Sequence, residues 1–577
     1  MKTIIDILQT YCTTAIQCCK FFSKELQPYL PAEITQSVNQ RLGNYQCNSA
    51  LKMAKIIKRH PGDIAEAIAA AFPSSAKNMI ESISCTSGFI NFIISPKFLA
   101  SEISKMVDHK KLGIEMPKHP SKIIVEFSSP NVAKELHVGH LRSTIIGDSI
   151  ARLFEFLGHR VIRLNHVGDW GTQFGMLLAF IRQRNIDYKD LTSKQLLEIY
   201  QEAKQEFDNN PSFKKEAHQQ VIALQKENPK SIEIWESICQ VSRKAYQEIY
   251  DLLDIKITER GESYYRKQLP IIIQDLRKKD LIRESQGARC IFFEEFTNKE
   301  GDPLPIIVQK SDGGYNYVTT DLAAMRQRTQ EEKVDRIIVV TDGGQLLHFQ
   351  MVIRACLAAG YLDPKRTEFN HVTFGVVLSP EKKRLKTREG TSEKLIDLIH
   401  KAIECAKTTL KERRPDFSEK EIENSSKILG IDAIKYADLS GHRQKDYIFS
   451  YERMLQFEGN TAPYLLYSYV RIQGIKRKVN KSIELFAPIS LEHPSEIALA
   501  LHLRQFDETL FSMSRDLLPN RLAEYLYHLA EKFHAFFRDC RVEGSDREAS
   551  RLLLCECSSR VLRQGLEILG LKTLDKM

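Results

Sequence analysis

The stretch Phe127–Arg142, FSSPNVAKELHVGHLR, limits the folds open to this chain more than any other. It follows the apolar run Ile123–Val125, which suits a buried strand, and it leads into helical spacing that begins near Gly139. A strand, a polar turn and a helix in that order build the nucleotide site of an open α/β sheet. There the helix N-terminus turns free backbone N–H groups and the positive end of its dipole toward phosphates. His137 and His140 flank Gly139, so two imidazoles can face one set of phosphates where a residue without a Cβ lets the backbone come close. An H-x-x-H pair alone is common and can be half of a metal site. The zinc-protease form, H-E-x-x-H, needs one more residue between its histidines than is found here.

The following segments continue the same architecture. Apolar residues at helical spacing run over Leu141–Leu157, Gly158 suits the position after a helix end, and Val161–Leu164 is the next strand. This strand–helix–strand crossover delivers Asn165–Gly175, NHVGDWGTQFG, to the carboxyl edge of the sheet, where ligands bind. Residues 182–282 read as a helical, highly charged insertion with no evident catalytic constellation. Strands return at Cys290–Phe293 and Ile306–Val308. Asp312–Asp321 then reads as a turn, a strand and a helix start, with Asp321 as N-cap of a helix over Leu322–Arg328. Arg336–Val340 is a further buried strand ending in Thr341–Gln345, and Val372–Leu378 is the strand before the basic loop Lys382–Ser392.

On either side lie units of different character. Toward the N-terminus, helical spacing gives way to the strand-like Gly88–Ile94, the pattern of a small α+β domain. From Leu395 the chain reads almost wholly helical. Tyr464, Tyr467, Tyr469 and Arg471, followed by Lys476-Arg477-Lys478, mix rings that stack on bases with cations that hold phosphates, although core tyrosines of a bundle fit the same pattern. At 577 residues the chain has length for about four domains. Its formal net charge of +9 suits a nucleic-acid partner without requiring one. The 12 cysteines include no C-x-x-C pair, which points to reduced thiols rather than a zinc ribbon. No run of about twenty apolar residues occurs, and Asp6 and Gln9 break the N-terminal apolar stretch, so the expectation is a cytoplasmic protein without a membrane span. Neither G-x-x-x-x-G-K-[ST] nor G-x-G-x-x-G is present, which removes generic NTPase and dehydrogenase readings.

The run Pro130-Asn131-Val132-Ala133-Lys134-Glu135-Leu136-His137-Val138-Gly139-His140 resembles the ATP-binding motif of class I aminoacyl-tRNA synthetases, most closely the arginyl-tRNA synthetase version. Asn165–Gly175 resembles that family's second core motif. The helices after residue 456, with Phe533-His534-Ala535-Phe536-Phe537 and Gly565–Leu571, resemble its anticodon-binding bundle. The resemblance implies a multidomain α/β protein. Its parts would be an N-terminal α+β domain that contacts tRNA (1–117), a Rossmann-like class I catalytic core (118–380), a basic loop with a helical stem-contact region (381–455), and an all-α anticodon-binding bundle (456–577). It also implies a monomer that joins L-arginine to arginine tRNA using ATP with Mg2+ and no structural zinc. The catalytic groups would be His137, His140 and Lys134. Lys386, Thr387 and Arg388 occupy the place of the family's mobile Lys-Met-Ser-Lys-Ser loop, but its second lysine is missing, and Lys134 fits the compensating role known in some arginyl enzymes.

Selecting arginine calls for carboxylates or amide oxygens set to meet a planar guanidinium with parallel bonds. By resemblance, Glu126, Asn131, Tyr317, Asp321 and Gln345 match positions that line the arginine pocket. A pocket built on hydrogen bonds rejects analogues lacking the partner by roughly 10⁴–10⁵, so a proofreading site is unnecessary. Residues 182–282 carry too few strands to be the large editing domain of relatives that handle aliphatic amino acids. A cysteinyl enzyme would need zinc-binding cysteines, and a glutamyl enzyme a basic pocket. A small nucleotidyltransferase would lack the long helical unit, and a non-catalytic RNA-binding relative would be expected to lose the histidines or the acids.

Overall fold

The computed structural model describes residues 1–39, 41–383, 385, 393–479 and 489–577. Two compact units divide the chain. The first joins Met1–Met116 to Phe457–Glu567 and Lys572–Met577, and the second spans Pro117–Gln456 with Ile568–Leu571.

The first unit opens with α1 (Ile4–Cys18), whose start is fixed by a reciprocal cap between Thr3 and Asp6. Strands β1 (Ile34–Gln36) and β2 (Tyr45–Cys47), helices α2 (Ser49–Ile57) and α3 (Pro61–Ala70), strands β3 (Ile80–Thr86) and β4 (Phe89–Ile94), and helix α4 (Pro96–Asp108) complete the N-terminal part. Its sheet is antiparallel in the order β1-β2-β4-β3, the α+β arrangement that the sequence indicates.

The second unit is built on a five-stranded parallel sheet. In chain order come β5 (Lys122–Glu126), α5 (Val138–Phe156), β6 (Arg160–Asn165), α6 (Thr172–Gln183), α7 (Ser193–Asn209), α8 (Pro211–Gln225), α9 (Pro229–Leu252), β7 (Thr258–Glu259) and α10 (Leu269–Lys278). A small antiparallel sheet of β8 (Arg283–Ser285), β9 (Ala288–Ile291) and β10 (Ile306–Gln309) follows, then α11 (Tyr317–Arg326), β11 (Arg336–Asp342), α12 (Leu346–Ala358) and β12 (Glu368–Phe374). The main sheet runs β12-β11-β5-β6-β7. The chain winds one way from β5 through β6 to β7 and the other way through β11 to β12. The switch therefore falls between β5 and β11, and the crevice beyond their carboxyl ends is where such a sheet binds its ligand. Buried Ile124, Leu164, Ile337, Val339, Leu322 and Val352 pack α11 and α12 against this sheet. Each such side chain contributes about 1.5–3 kcal/mol through burial.

Two elements differ from the sequence expectation. The helical stretch expected over 182–282 is interrupted: α9 ends at Leu252, and Thr258–Glu259 pairs in parallel with Leu164 and Asn165 as an edge strand of the main sheet before α10. Asp321 is not an N-cap. Asn316, in extended backbone, accepts the Tyr317 N–H at 2.9 Å through its own side chain and starts α11 five residues earlier. Asp321 therefore sits in the second turn of the helix, and the anticipated strand is reduced to a single bridge between Gln309 and Tyr315.

Beyond β12, β13 (Val377–Leu378), α13 (Leu395–Arg413), α14 (Glu419–Leu439), β14 (Tyr447–Ile448) and α15 (Tyr451–Met454) finish the second unit. The first unit then resumes as α16 (Ala462–Val479), α17 (Pro494–Arg504), α18 (Phe506–Asp516), α19 (Asn520–Asp539) and α20 (Glu548–Ile568), the all-α part anticipated from the sequence. Arg504 of α17 holds this part to α4 by a buried ion pair to Glu102 at 3.0 Å.

Candidate active site

The turn between β5 and α5 departs from ordinary backbone. Ser128, Ser129 and Ala133 all adopt left-handed φ values, at 70°, 46° and 63°, a costly choice for residues with a Cβ. Backbone bonds lace this turn to the second motif: Val132 N–H donates to the Gly168 carbonyl at 3.1 Å, and Gly168 N–H donates to that of Pro130 at 2.9 Å. A Cβ on Gly168 would stand 2.2 Å from Asn131 Oδ1, so any other residue there would displace the Asn131 side chain.

At the start of α5 the two histidines cap the helix. His137 Nδ1 accepts the Gly139 N–H at 3.1 Å, and His140 Nδ1 accepts the His137 N–H at 3.1 Å. An accepting Nδ1 places the proton of a neutral imidazole on Nε2. Burial, with Lys134 nearby, lowers the His137 pKa. Burial, then His137 and Lys134, lowers that of His140 to about 3. Both rings are thus neutral near pH 7, 4.0 Å apart between centroids, and can donate from Nε2 at a helix N-terminus. Lys134 is exposed, 5.7 Å from the Tyr200 ring. On the other side of the turn, Lys394 pairs its backbone with His137 and its ammonium with Glu135 at 2.7 Å. Lys386, Thr387 and Arg388 lie outside the described residues.

A cavity of about 290 Å³ opens beside the turn, lined among others by Asn131, Trp170, Glu262, Tyr315 and Tyr317. Glu262 was not anticipated from the sequence. Burial first, then Asp321 and Asp169, raises its carboxyl from 4.5 to about 8. Its placement depends on Asp169 of the second motif, which accepts the Ser263 N–H at 2.8 Å and the Ser263 hydroxyl at 2.6 Å and thereby fixes the Gly261–Ser263 turn. An acid inside a Gly-Glu-Ser turn just after a short strand is the only local signal that could have marked it.

Of the remaining anticipated residues Tyr317 lines this cavity, while Asp321, Glu126 and Gln345 are not part of its lining. Asp321 lies one turn beyond Tyr317 on α11 and meets His348 Nε2 at 2.8 Å, while the Tyr317 and His348 rings are 5.0 Å apart. Glu126 ends β5 in a buried ion pair with Arg328 at 2.5 Å, which a π-helical turn at the end of α11 carries to it. Gln345 is exposed just past the end of β11. The arrangement combines neutral N–H donors for phosphates with a carboxylate-lined cavity of a size for one small cationic molecule.

Comparison with known proteins matches this geometry from end to end. The family model for the catalytic domain of class I tRNA synthetases (R) covers residues 102–451, flanked by the arginyl-tRNA synthetase N-terminal domain over 6–94 and the DALR anticodon-binding domain over 465–577. The sheet, its switch point and these matches define a class I aminoacyl-tRNA synthetase. Arginine–tRNA ligases of Protochlamydia amoebophila and Chlamydia pneumoniae are 53% and 50% identical to it, each over 100% of both chains. A crystal structure of arginyl-tRNA synthetase from Plasmodium falciparum superposes with a TM-score of 0.87 at 34% identity over 100% of both chains. The chain belongs to the arginyl-tRNA synthetase family.

Proposed function

We propose that the histidine turn and the acid-lined cavity divide the first half of the family's reaction between them. The carboxylate of L-arginine attacks the α-phosphorus of ATP and diphosphate leaves. The terminal ribose hydroxyl of arginine tRNA then takes the arginyl group from the adenylate, and AMP departs. Activation needs positioning and donors that tighten on the phosphates as charge develops, rather than covalent help. His137 and His140 supply Nε2–H donors and Lys134 a cation in place of the missing loop lysine, with Lys386, Thr387 and Arg388 as further phosphate-binding groups. Magnesium arrives with ATP, held by phosphate oxygens and water.

Glu262 and Asp321 receive the guanidinium, with Tyr317 alongside. Asn131, Gln345 and the oxygen of Glu126 that Arg328 leaves hold the amino-acid end. The observation that carries this reading is that Asn131, in the cavity wall, and His137, at the helix start, belong to one short turn. Along the chain, residues 118–380 perform the chemistry, 381–455 contact the tRNA stem, and 1–117 and 456–577 take the rest of the tRNA. The enzyme works as a cytoplasmic monomer, and gel filtration of the full-length chain would test the monomer. Among the described residues no helix is long and apolar enough to cross a membrane.

Arginine-dependent ATP–diphosphate exchange, run with and without arginine tRNA, tests the reading. No exchange in either condition from folded protein would remove it. Exchange without tRNA would keep the enzyme and discard a tRNA requirement for activation.

A further inference from the structure

Helix α9 belongs to the charged insertion, yet one of its faces is laid along the substrate turn. Trp235, Ser242, Tyr246 and Tyr250 fall at positions i, i+7, i+11 and i+15, on one side of the helix, and all four are buried. Each meets the nucleotide or second motif through a polar atom. Trp235 Nε1 donates to the Asp169 carbonyl at 2.7 Å. Ser242 Oγ accepts the N–H of Ala133, a left-handed residue, at 3.0 Å. Tyr250 Oη lies 2.8 Å from Ser128 Oγ, also on a left-handed residue, and accepts from Asn165 Nδ2 at 3.1 Å. The Tyr246 hydroxyl lies 2.7 Å from the carbonyl oxygen of Asn131 and 3.0 Å from that of Lys134, and shares its one proton between them.

Such a turn does not hold itself. Three non-glycine residues in the left-handed region persist only when their surroundings over-determine them, and the side chains of α9 bond to this turn at Ser128, Asn131, Ala133 and Lys134. We propose that α9 is the template of this turn and that Tyr246 is a positioning residue, whose hydroxyl sets the arginine-side Asn131 and the phosphate-side Lys134 at a fixed separation. The two subsites are thereby coupled: filling one stiffens the carbonyl pair that the other depends on. The proposal rests on the roles given above to Asn131 and Lys134.

The substitution Tyr246→Phe in the full-length chain removes the donor and leaves the ring that packs the helix. The expected result is a fall in kcat/KM for diphosphate exchange of about tenfold or more, because the Lys134 carbonyl loses the hydroxyl and the Asn131 carbonyl is left with the Lys134 N–H at 3.3 Å. KM for arginine and KM for ATP should rise together. The tightening of arginine binding by a non-hydrolysable ATP analogue, read by calorimetry, should shrink by a similar factor. Ser242→Ala should act in the same direction, while Gln247→Ala, on the exposed side of the same helix, should leave the constants within twofold. Combining Tyr246→Phe with Lys134→Ala should cost less than the product of the single losses, since one acts through the other.

Tyr246→Phe with both KM values and the analogue effect within twofold of the parent overturns the proposal. So does a loss that follows the unfolded fraction and vanishes on cooling, since that would be a stability effect alone. If the parent itself shows no arginine-dependent exchange under any condition, the assignment of the site fails instead, and the two failures are told apart by the parent assay.

Discussion

The guanidinium of Arg142 and the carboxylate of Asp438 meet at 2.9 Å with both side chains withdrawn from solvent. Arg142 is part of the same run as His137 and His140, and its other nitrogens donate to the carbonyls of Gly375 at 2.6 Å, Arg443 at 3.2 Å and Lys445 at 3.3 Å. One side chain therefore fastens the start of α5 to the end of β12, to α14 and to the segment before β14. Removing one partner leaves the other charged and buried, so Arg142→Ala should cost about 3–5 kcal/mol. Arg142→Lys should recover little of it, because a single ammonium cannot serve a carboxylate and three carbonyls at fixed angles. Urea unfolding of the full chain checks both, and a parental midpoint for Arg142→Lys would refute the geometric argument.

Glu262 makes arginine binding depend on pH. Its carboxyl is raised from 4.5 to about 8, so near neutrality the empty pocket holds it largely protonated, while a bound guanidinium requires it ionised. Binding then releases a proton, and KM for arginine should fall roughly five- to tenfold per unit as pH rises from 6 toward 8, then level off. The sign for stability is opposite. A raised acid stabilises the empty protein below its unfolded pKa and loses that contribution as pH climbs from 4.5 through about 8. Glu262→Gln should weaken arginine and flatten the pH profile of its KM. A Gln variant with the parental slope would assign the proton elsewhere.

What could be read from the chain follows how local each feature is. The strand before Phe127, the turn and the start of α5 depend on neighbouring residues and are evident in FSSPNVAKELHVGHLR. Asp321 was misplaced because two good caps, Asn316 and Asp321, stand five residues apart and only packing selects between them. Glu262 is positioned by Asp169, 94 residues away from the serine it holds, and no spacing rule reaches so far. Ser242, Tyr246 and Tyr250 lie among the lysines and glutamates of a solvated-looking helix; the first two meet backbone groups that carry no residue signature, and Tyr250 meets side chains 85 and 122 residues away.

Asp321 meets His348 through one carboxylate oxygen rather than capping its own helix. Asp321→Asn should weaken arginine binding by about tenfold or more, near 1.4 kcal/mol. Because Asn316 provides the cap of α11, the thermal midpoint should hardly move. An unchanged KM for arginine would take Asp321 out of the pocket. A lowered midpoint with the same KM would give it a structural role only.

His140 performs two tasks that substitution can separate. Its Nδ1 accepts the His137 N–H and completes the cap of α5, while its Nε2 is the donor proposed for the phosphates. His140→Ala removes both, and should cost about 1 kcal/mol of stability through the cap together with roughly 100-fold or more in exchange rate through the donor. His140→Asn keeps an acceptor near the cap and should restore most of the stability without restoring the rate. The ring is neutral well below pH 6, its pKa lowered to about 3, so the rate at saturating arginine should show no histidine limb between pH 6 and 8. Equal stability and equal rate in His140→Asn would mean that the ring serves only to shape the helix start, and the phosphate contacts would then have to come from His137 and Lys134.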